Sequence, residues 1–293
     1  MQPQSANDTS QRFIFDNTDI RGEIVRLRKS YADTVSGKYY PEPVARLLGQ
    51  FMAASVLLST TIKFDGRLVL QVRSKGQVAL MMAECTSAGE LRGIARYDET
   101  PTSTQFSDLL SEGTLVITID TRKGEPYQGI VPLEGDSLAE CLQQYFLQSE
   151  QLASQFYFAS DRDGVAAMML QQLPAQLQKD KDERESHWSH FSTLARTLTD
   201  EELLNLPNAD ILNRLYHQEE LRLFTPKDLI FKCSCSRERT ASALAALGRQ
   251  EIGNLIAERG GIEISCEFCA TEYNFGPGEL ALLFEQVEEG PTH

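Results

Sequence analysis

The hydrophobic positions change period several times along the chain. Residues 21–27 (RGEIVRL) have the length and apolar content of a strand. After Pro41 and Pro43, apolar side chains recur at three- and four-residue steps (Val44, Leu47, Leu48, Phe51, Leu58), which predicts a helix. Alternation then takes over. Leu68, Leu70 and Val72 share one strand face, and a turn at Ser74-Lys75-Gly76 leads to Val78, Leu80 and Met82. Leu115, Ile117 and Ile119 alternate in a further strand, and a turn at Lys123-Gly124 returns the chain through residues 128–133. Asp136 or Ser137 can cap a helix carrying Leu138, Leu142 and Tyr145. Leu152, Phe156 and Phe158 predict another strand, and residues 165–173 a buried one that stops at Pro174. Strands and helices mix without strict βαβ repetition. The expected class is α+β, with a large mixed α/β N-terminal domain over residues 1–178.

Residues 179–232 have a different character. Lys, Arg, Asp and Glu make up 19 of these 54 positions, and residues 179–185 (KDKDERE) form a solvated charge run. Two amphipathic stripes follow: Trp188, Phe191, Leu194 and Leu198, then Ile211, Leu212, Leu215 and Tyr216. Between them, Thr199 and Glu202 have the spacing of a capping box. Short helices are marginal on their own in water. The segment reads as a helical linker that must borrow a surface to fold, and the Trp188 stripe is expected to lie on the N-terminal domain.

Residues 233–293 carry four clustered cysteines: Cys233 and Cys235 in C-S-C, Cys266 and Cys269 in C-E-F-C. Two close thiol pairs, folded back on one another, give the tetrahedral four-thiolate set that Zn²⁺ prefers. Such a site is closed and offers no open position for hydrolytic chemistry. A module of about sixty residues buries too little apolar area to fold securely alone. Bound zinc contributes roughly 10–16 kcal/mol in finger-sized peptides, and that energy is folding energy. Two readings of the cysteines stay open at this point, a static zinc knuckle and a thiol switch. Lys232, Arg237 and Arg239 flank the first pair, and nearby cations increase the thiolate share. Oxidation within Cys233-Ser234-Cys235 closes a small, strained ring, and strained disulfides reduce easily. Each local oxidation removes two zinc ligands.

Charge narrows the choices. The chain of 293 residues carries a net charge of −14. From Cys233 onward there are 4 arginines and 10 glutamates. Phosphate binding needs the opposite sign, so no nucleic-acid partner is expected. The first twelve residues are polar, without the apolar run of a signal peptide. No apolar stretch is expected to reach the ~20 residues that span a bilayer. A cytoplasmic protein with no membrane partner is the expectation, and clustered thiols in a reducing compartment read as metal-binding or redox-sensing. No Gly-x-Gly-x-x-Gly, Walker loop, Gly-x-Ser-x-Gly or His-Glu-x-x-His motif occurs, so no enzyme is expected. Asp65, Asp120 and Asp161 fall at strand ends or turns, where aspartate is ordinary. Cys85 and Cys141 read as buried, inert thiols, and His187 and His190 as solvent-facing partners on one helix face.

Several segments resemble one family: residues 21–27, LLGQFMAASVLL (47–58), KFDGRLVLQV (63–72), LRGIAR (91–96), TLVITID (114–120), YQGIVPL (127–133) and SEQL (149–152). Most specific is CSCSRER (233–239) paired with CEFC (266–269) and followed by Tyr273 and Phe275. The chain resembles the redox-regulated holdase chaperones, the 33-kDa heat-shock chaperonin family of bacteria, almost end to end. The resemblance implies that Cys233, Cys235, Cys266 and Cys269 hold one Zn²⁺ per chain in an inactive reduced state. It implies that peroxide with unfolding stress, or hypochlorous acid, oxidises Cys233–Cys235 and Cys266–Cys269 and expels the zinc. The C-terminal module and residues 179–232 would then unfold, and the active form, a homodimer, would capture unfolding client proteins without ATP. The competing expectations are a thiol–disulfide oxidoreductase using the C-x-x-C pair and a static zinc adaptor module.

Overall fold

A hairpin of β1 (Thr9–Phe15) and β2 (Ile20–Leu27) opens the fold, followed by α1 (Lys29–Ser36) and α2 (Glu42–Thr61). A meander of β3 (Gly66–Arg73), β4 (Leu80–Thr86) and β5 (Glu90–Arg96) comes next. The one-turn α3 (Phe106–Leu109) leads to β6 (Thr114–Thr121) and β7 (Tyr127–Pro132). Then come α4 (Leu138–Gln148), β8 (Ser154–Ser160) and β9 (Val165–Gln172). This computed structural model describes residues 8–122 and 124–279; Lys123, half of one expected turn, and both chain ends lie outside them.

The strands build two sheets. The first begins with the pairs β1–β2, β2–β9 and β9–β8, all antiparallel. In the second, β3 lies between β4 and β6, with β5 and β7 outside them. Helix α2 touches strands of both sheets and is buried on every side over residues 51–58, with Leu48, Phe51, Met52 and Leu57 fully enclosed. A helix wedged between two apolar faces has no polar face to keep. This corrects the expectation that no stretch is long and apolar enough to cross a membrane: the 20 residues of α2 are, yet 72% of the apolar window lies inside the protein. No glycine ends α2, and Ile62 is already extended. The last helical carbonyls are satisfied by side chains instead, Thr60 O accepting from Arg12 and Thr61 O from Arg21.

Strand β1 was not legible in the polar N-terminus. It forms because it pairs with β2 on one edge and with later chain on the other. Ser137 caps α4 by accepting from Glu140 N at 3.2 Å. Cys141 and Cys85 are both buried, as expected.

Most of residues 179–232 is built onto the first sheet. They form α5 (Lys181–Ala195), α6 (Asp200–Asn205), α7 (Asn208–Tyr216), β10 (Leu221–Leu223), β11 (Lys227–Asp228) and β12 (Ile230–Phe231). Phe13, Phe15, Ile20, Ile24, Met168 and Leu170 form one apolar face, which Phe191, Leu203, Ile211, Leu212, Leu215 and Tyr216 cover, with Trp188 half-buried beside them. Phe191 lies over Phe15 at a centroid distance of 4.1 Å. The capping box at Thr199 and Glu202 is formed.

Two polar clamps fasten this segment. Asp19, in the β1–β2 turn, accepts from the backbone N–H of Gln176, Leu177 and Gln178 and from Arg184 Nη1 at 2.7 Å. Burial acts to raise the Asp19 pKa, but these donors outweigh it and hold the carboxyl below its ordinary value. Arg26 donates to Asn208 Oδ1 at 2.7 Å, to Leu204 O at 3.0 Å and to Leu206 O, placing its charge at the C-terminal carbonyls of α6. Burial brings its pKa down to about 10.

Beyond α7 the chain runs as a strap across both sheets. β10 and β11 pair antiparallel with β1, and β12 pairs parallel with β5. The chain divides into two compact units between Lys232 and Cys233. The second holds α8 (Arg237–Ala245), α9 (Arg249–Arg259) and the hairpin β13 (Ile262–Ser265) to β14 (Glu272–Phe275). Among the described residues its buried core is Ala241, Leu244, Ile252 and Phe275.

Candidate metal centre

Cys233 and Cys235 lie in the stretch that enters α8, whose N-cap Ser236 accepts from Arg239 N. Cys266 and Cys269 occupy the turn of the β13–β14 hairpin. Cys266 N donates to Thr271 O and Ala270 N to Cys266 O, both at 2.8 Å. Ala270 adopts a left-handed φ of 56°, which closes the turn tightly enough for both thiols to face one way.

The two motifs meet sulfur to sulfur. Cys233 Sγ lies 3.6 Å from Cys266 Sγ, and Cys235 Sγ lies 3.4 Å from Cys269 Sγ. All four sulfurs fall within 4.8 Å of one another, and none forms a disulfide. Four sulfurs each ~2.3 Å from a tetrahedral centre sit about 3.8 Å apart. The thiols are therefore spaced to bind a metal ion, and an all-thiolate set suits a soft or borderline cation.

Hydroxyl donors tune the cluster. Tyr273 Oη donates to Cys235 Sγ at 3.1 Å, and the Thr271 hydroxyl lies 3.1 Å from Cys269 Sγ. Burial pushes the Cys235 thiol up against the pull of Tyr273. At Cys269 burial also raises the pKa, but the Thr271 hydroxyl and backbone N–H, with Cys235 and Cys233, bring it down to about 7. The bond to Cys235 pushes Tyr273 up to about 12, so it stays a donor.

The cations expected to activate the first pair are engaged elsewhere. Arg237 forms a two-point pair with Glu279 and lies over the Phe275 ring at 4.6 Å. Arg239 donates to Ser234 O, and Lys232 pairs with Glu90. Sequence reasoning missed Thr271 and Tyr273 as donors. Their positions two and four residues past Cys269 are the only signal, and it does not say which hydroxyl faces a thiol. His190 pairs with Glu219 at 2.8 Å, and His187 is half-buried on the same helix.

An α+β body carrying a C-terminal four-thiol centre defines a two-unit protein in which a small metal-type module follows a large sheet domain. The description of the Hsp33 protein family matches residues 8–276, and the chain belongs to that family. A 33 kDa chaperonin of Ectopseudomonas mendocina is 53% identical over 281 residues, 95% of each chain. A 33 kDa chaperonin of Azotobacter vinelandii is 51% identical over 280 residues, 94% of each chain. The crystal structure of a 33 kDa chaperonin (heat shock protein 33 homolog) from Thermotoga maritima aligns with a TM-score of 0.79 at 22% identity. It covers 96% of this chain and 99% of that one, a likeness of fold.

Proposed function

We propose that this protein is a cytoplasmic, redox-activated, ATP-independent holdase that binds unfolding proteins and keeps them from aggregating. The observation that carries the reading is the continuity of the cover with the thiol centre. Residues 181–216 hide an apolar sheet face, and the same chain runs through the strap into a unit whose buried core, among the described residues, is four side chains. A core so small depends on its crosslink.

In the reduced state, Cys233, Cys235, Cys266 and Cys269 would hold one Zn²⁺, which supplies that crosslink. Peroxide oxidises each thiol pair by two electrons: two thiols and one H₂O₂ give one disulfide and two waters. With Cys233–Cys235 and Cys266–Cys269 paired, no thiolate donor remains. Residues 233–293 are then the switch, 179–232 the releasable linker, and 1–178 the chaperone domain. Release uncovers Phe13, Phe15, Ile20 and Ile24 for clients, and a patch of that kind is what capture of unfolded chains requires. The active form is a homodimer, and a charge of −14 per chain favours solubility while apolar surface is exposed. Neither nucleic acid nor membrane is a partner in this reading, and no catalytic turnover is involved.

The test combines zinc release with light scattering of a thermally unfolding client, for reduced and peroxide-treated protein. Zinc loss with suppression only after oxidation is the expected result. Zinc retention in peroxide would make the centre a static staple. Turnover of a disulfide substrate by the reduced protein would make it an oxidoreductase site.

A further inference from the structure

A cleft of about 410 Å³ opens under the strap, within the size range of ligand sites. Four parts of the first unit wall it: β1, the end of α2 with the residues after it, the β4–β5 turn, and residues 227–229 of the strap. Arg12, Lys63 and Lys227 all line it. The register sets Ser10 opposite Lys227, so Lys227 and Arg12, two residues along β1, share one sheet face. Two carboxylates oppose them: Asp228 on the wall, and buried Glu23, 3.6 Å from Arg12. Three cations against two anions leave the cleft positive in a chain of net charge −14. Among the described residues, neither Lys63 nor Lys227 forms an ion pair.

Hydroxyls line the cleft as well. The Thr86 hydroxyl accepts from Glu90 N, and the Ser87 hydroxyl accepts from Gly66 N. Each keeps its own proton for an outside oxygen. The strap lies close on this turn: a Cβ at Gly89, where φ is +82°, would stand 2.9 Å from Asp228 O. Leu229 N donates to Asp8 O at 2.9 Å and Ile230 N to Gly89 O at 3.0 Å.

We propose that this cleft binds a phosphate-class oxyanion, which latches the strap to the first unit by bridging Lys227 to Arg12 and Lys63. Opening the strap carries Lys227 away and dismantles the site, so the anion binds the closed strap and opposes its release. The binding stands independently of the chaperone reading; only its consequence, a higher threshold for activation, rests on it.

The test uses the reduced, zinc-loaded full-length protein, so it requires no chaperone activity. Hydrogen exchange of the Leu229, Ile230 and Lys232 amides is followed with pyrophosphate, with ADP, and with chloride at matched ionic strength. At about ten times its dissociation constant, a ligand specific for the closed strap slows exchange about tenfold. The double variant Lys63→Gln, Lys227→Gln, altered only at exposed side chains, should lose that slowing, each protein being measured against its own ligand-free exchange rate. Protection by pyrophosphate marks a free anion as ligand, and protection by ADP alone marks a phosphate ester. Slowing no greater than in chloride, or an undiminished response in the double variant, overturns the proposal.

Discussion

Replacing Asp19 with Asn tests whether a single buried carboxylate holds the linker down. The Asp19 side chain is 5% exposed and that of Arg184 17%. Oδ2 accepts from Gln176 N, Gln178 N and Arg184, and Oδ1 from Leu177 N. An amide presents one acceptor and one donor group, so either orientation sets an NH₂ against at least one N–H. It also leaves Arg184 without its countercharge. Hydrogen bonds to charged groups contribute about 1.5–3 kcal/mol each, and breaking a buried pair costs about 3–5 kcal/mol. The bonds are not additive, and we take about 3 kcal/mol, roughly 150-fold in the docking equilibrium. The assay is hydrogen exchange across residues 176–190 of reduced, zinc-loaded protein, with Asp16→Asn as control. Asp16 lies near the same turn, but its pair with Arg222 is 35% and 60% exposed, and such surface pairs contribute about 0–1 kcal/mol. Asp19→Asn should exchange about a hundredfold faster than wild type, and Asp16→Asn within about fivefold. A pH series supplies the sign. The folded pKa of Asp19 lies below 3.8, so the clamp is fully present above that pH and is lost as pH falls through the lower folded value. Wild-type protection should drop below about pH 4 in step with this titration, and Asp19→Asn should lack that component. Equal exchange in the two variants would refute the clamp.

Phe191→Ala empties a site that is 2% exposed against Phe15 and Tyr216, and should cost about 3–5 kcal/mol, read as faster proteolysis within residues 181–216. Tyr273→Phe removes the donor to Cys235 and should weaken zinc binding by about 10–100-fold, measured by competition with a chromophoric chelator. Unchanged affinity would show that the hydroxyl does not tune the site. Cys85, pushed up to about 11 by burial, and Cys141 should resist alkylation in native protein. Chelated protein should therefore label at four thiols, and at six only in denaturant.

Much of the architecture was legible in local spacing. Alternation marked β3 and β6, a continuous apolar run ending at Pro174 marked β9, and three- and four-residue steps marked α2, α4, α5 and α7. The clustering of four thiols was legible too, because thiol type and spacing are themselves the requirement of a four-sulfur site. Charge placement was not. Arg237 and Arg239 stand beside Cys235 in sequence, yet Glu279 and Ser234 O hold them, while Thr271 and Tyr273 reach the sulfurs through the hairpin register.

Periodicity and ligand chemistry act over a few residues, so the chain carried them openly: the elements, the thiol quartet and the amphipathic stripe at Trp188. Pairing partners separated by some two hundred positions carry no local signature. Only the folded chain set β10 and β11 beside β1, placed Asp19 under Gln176, Leu177 and Gln178, and buried α2 between two sheets. Those contacts come from burying complementary faces and satisfying backbone groups across the whole domain, and no segment specifies them alone.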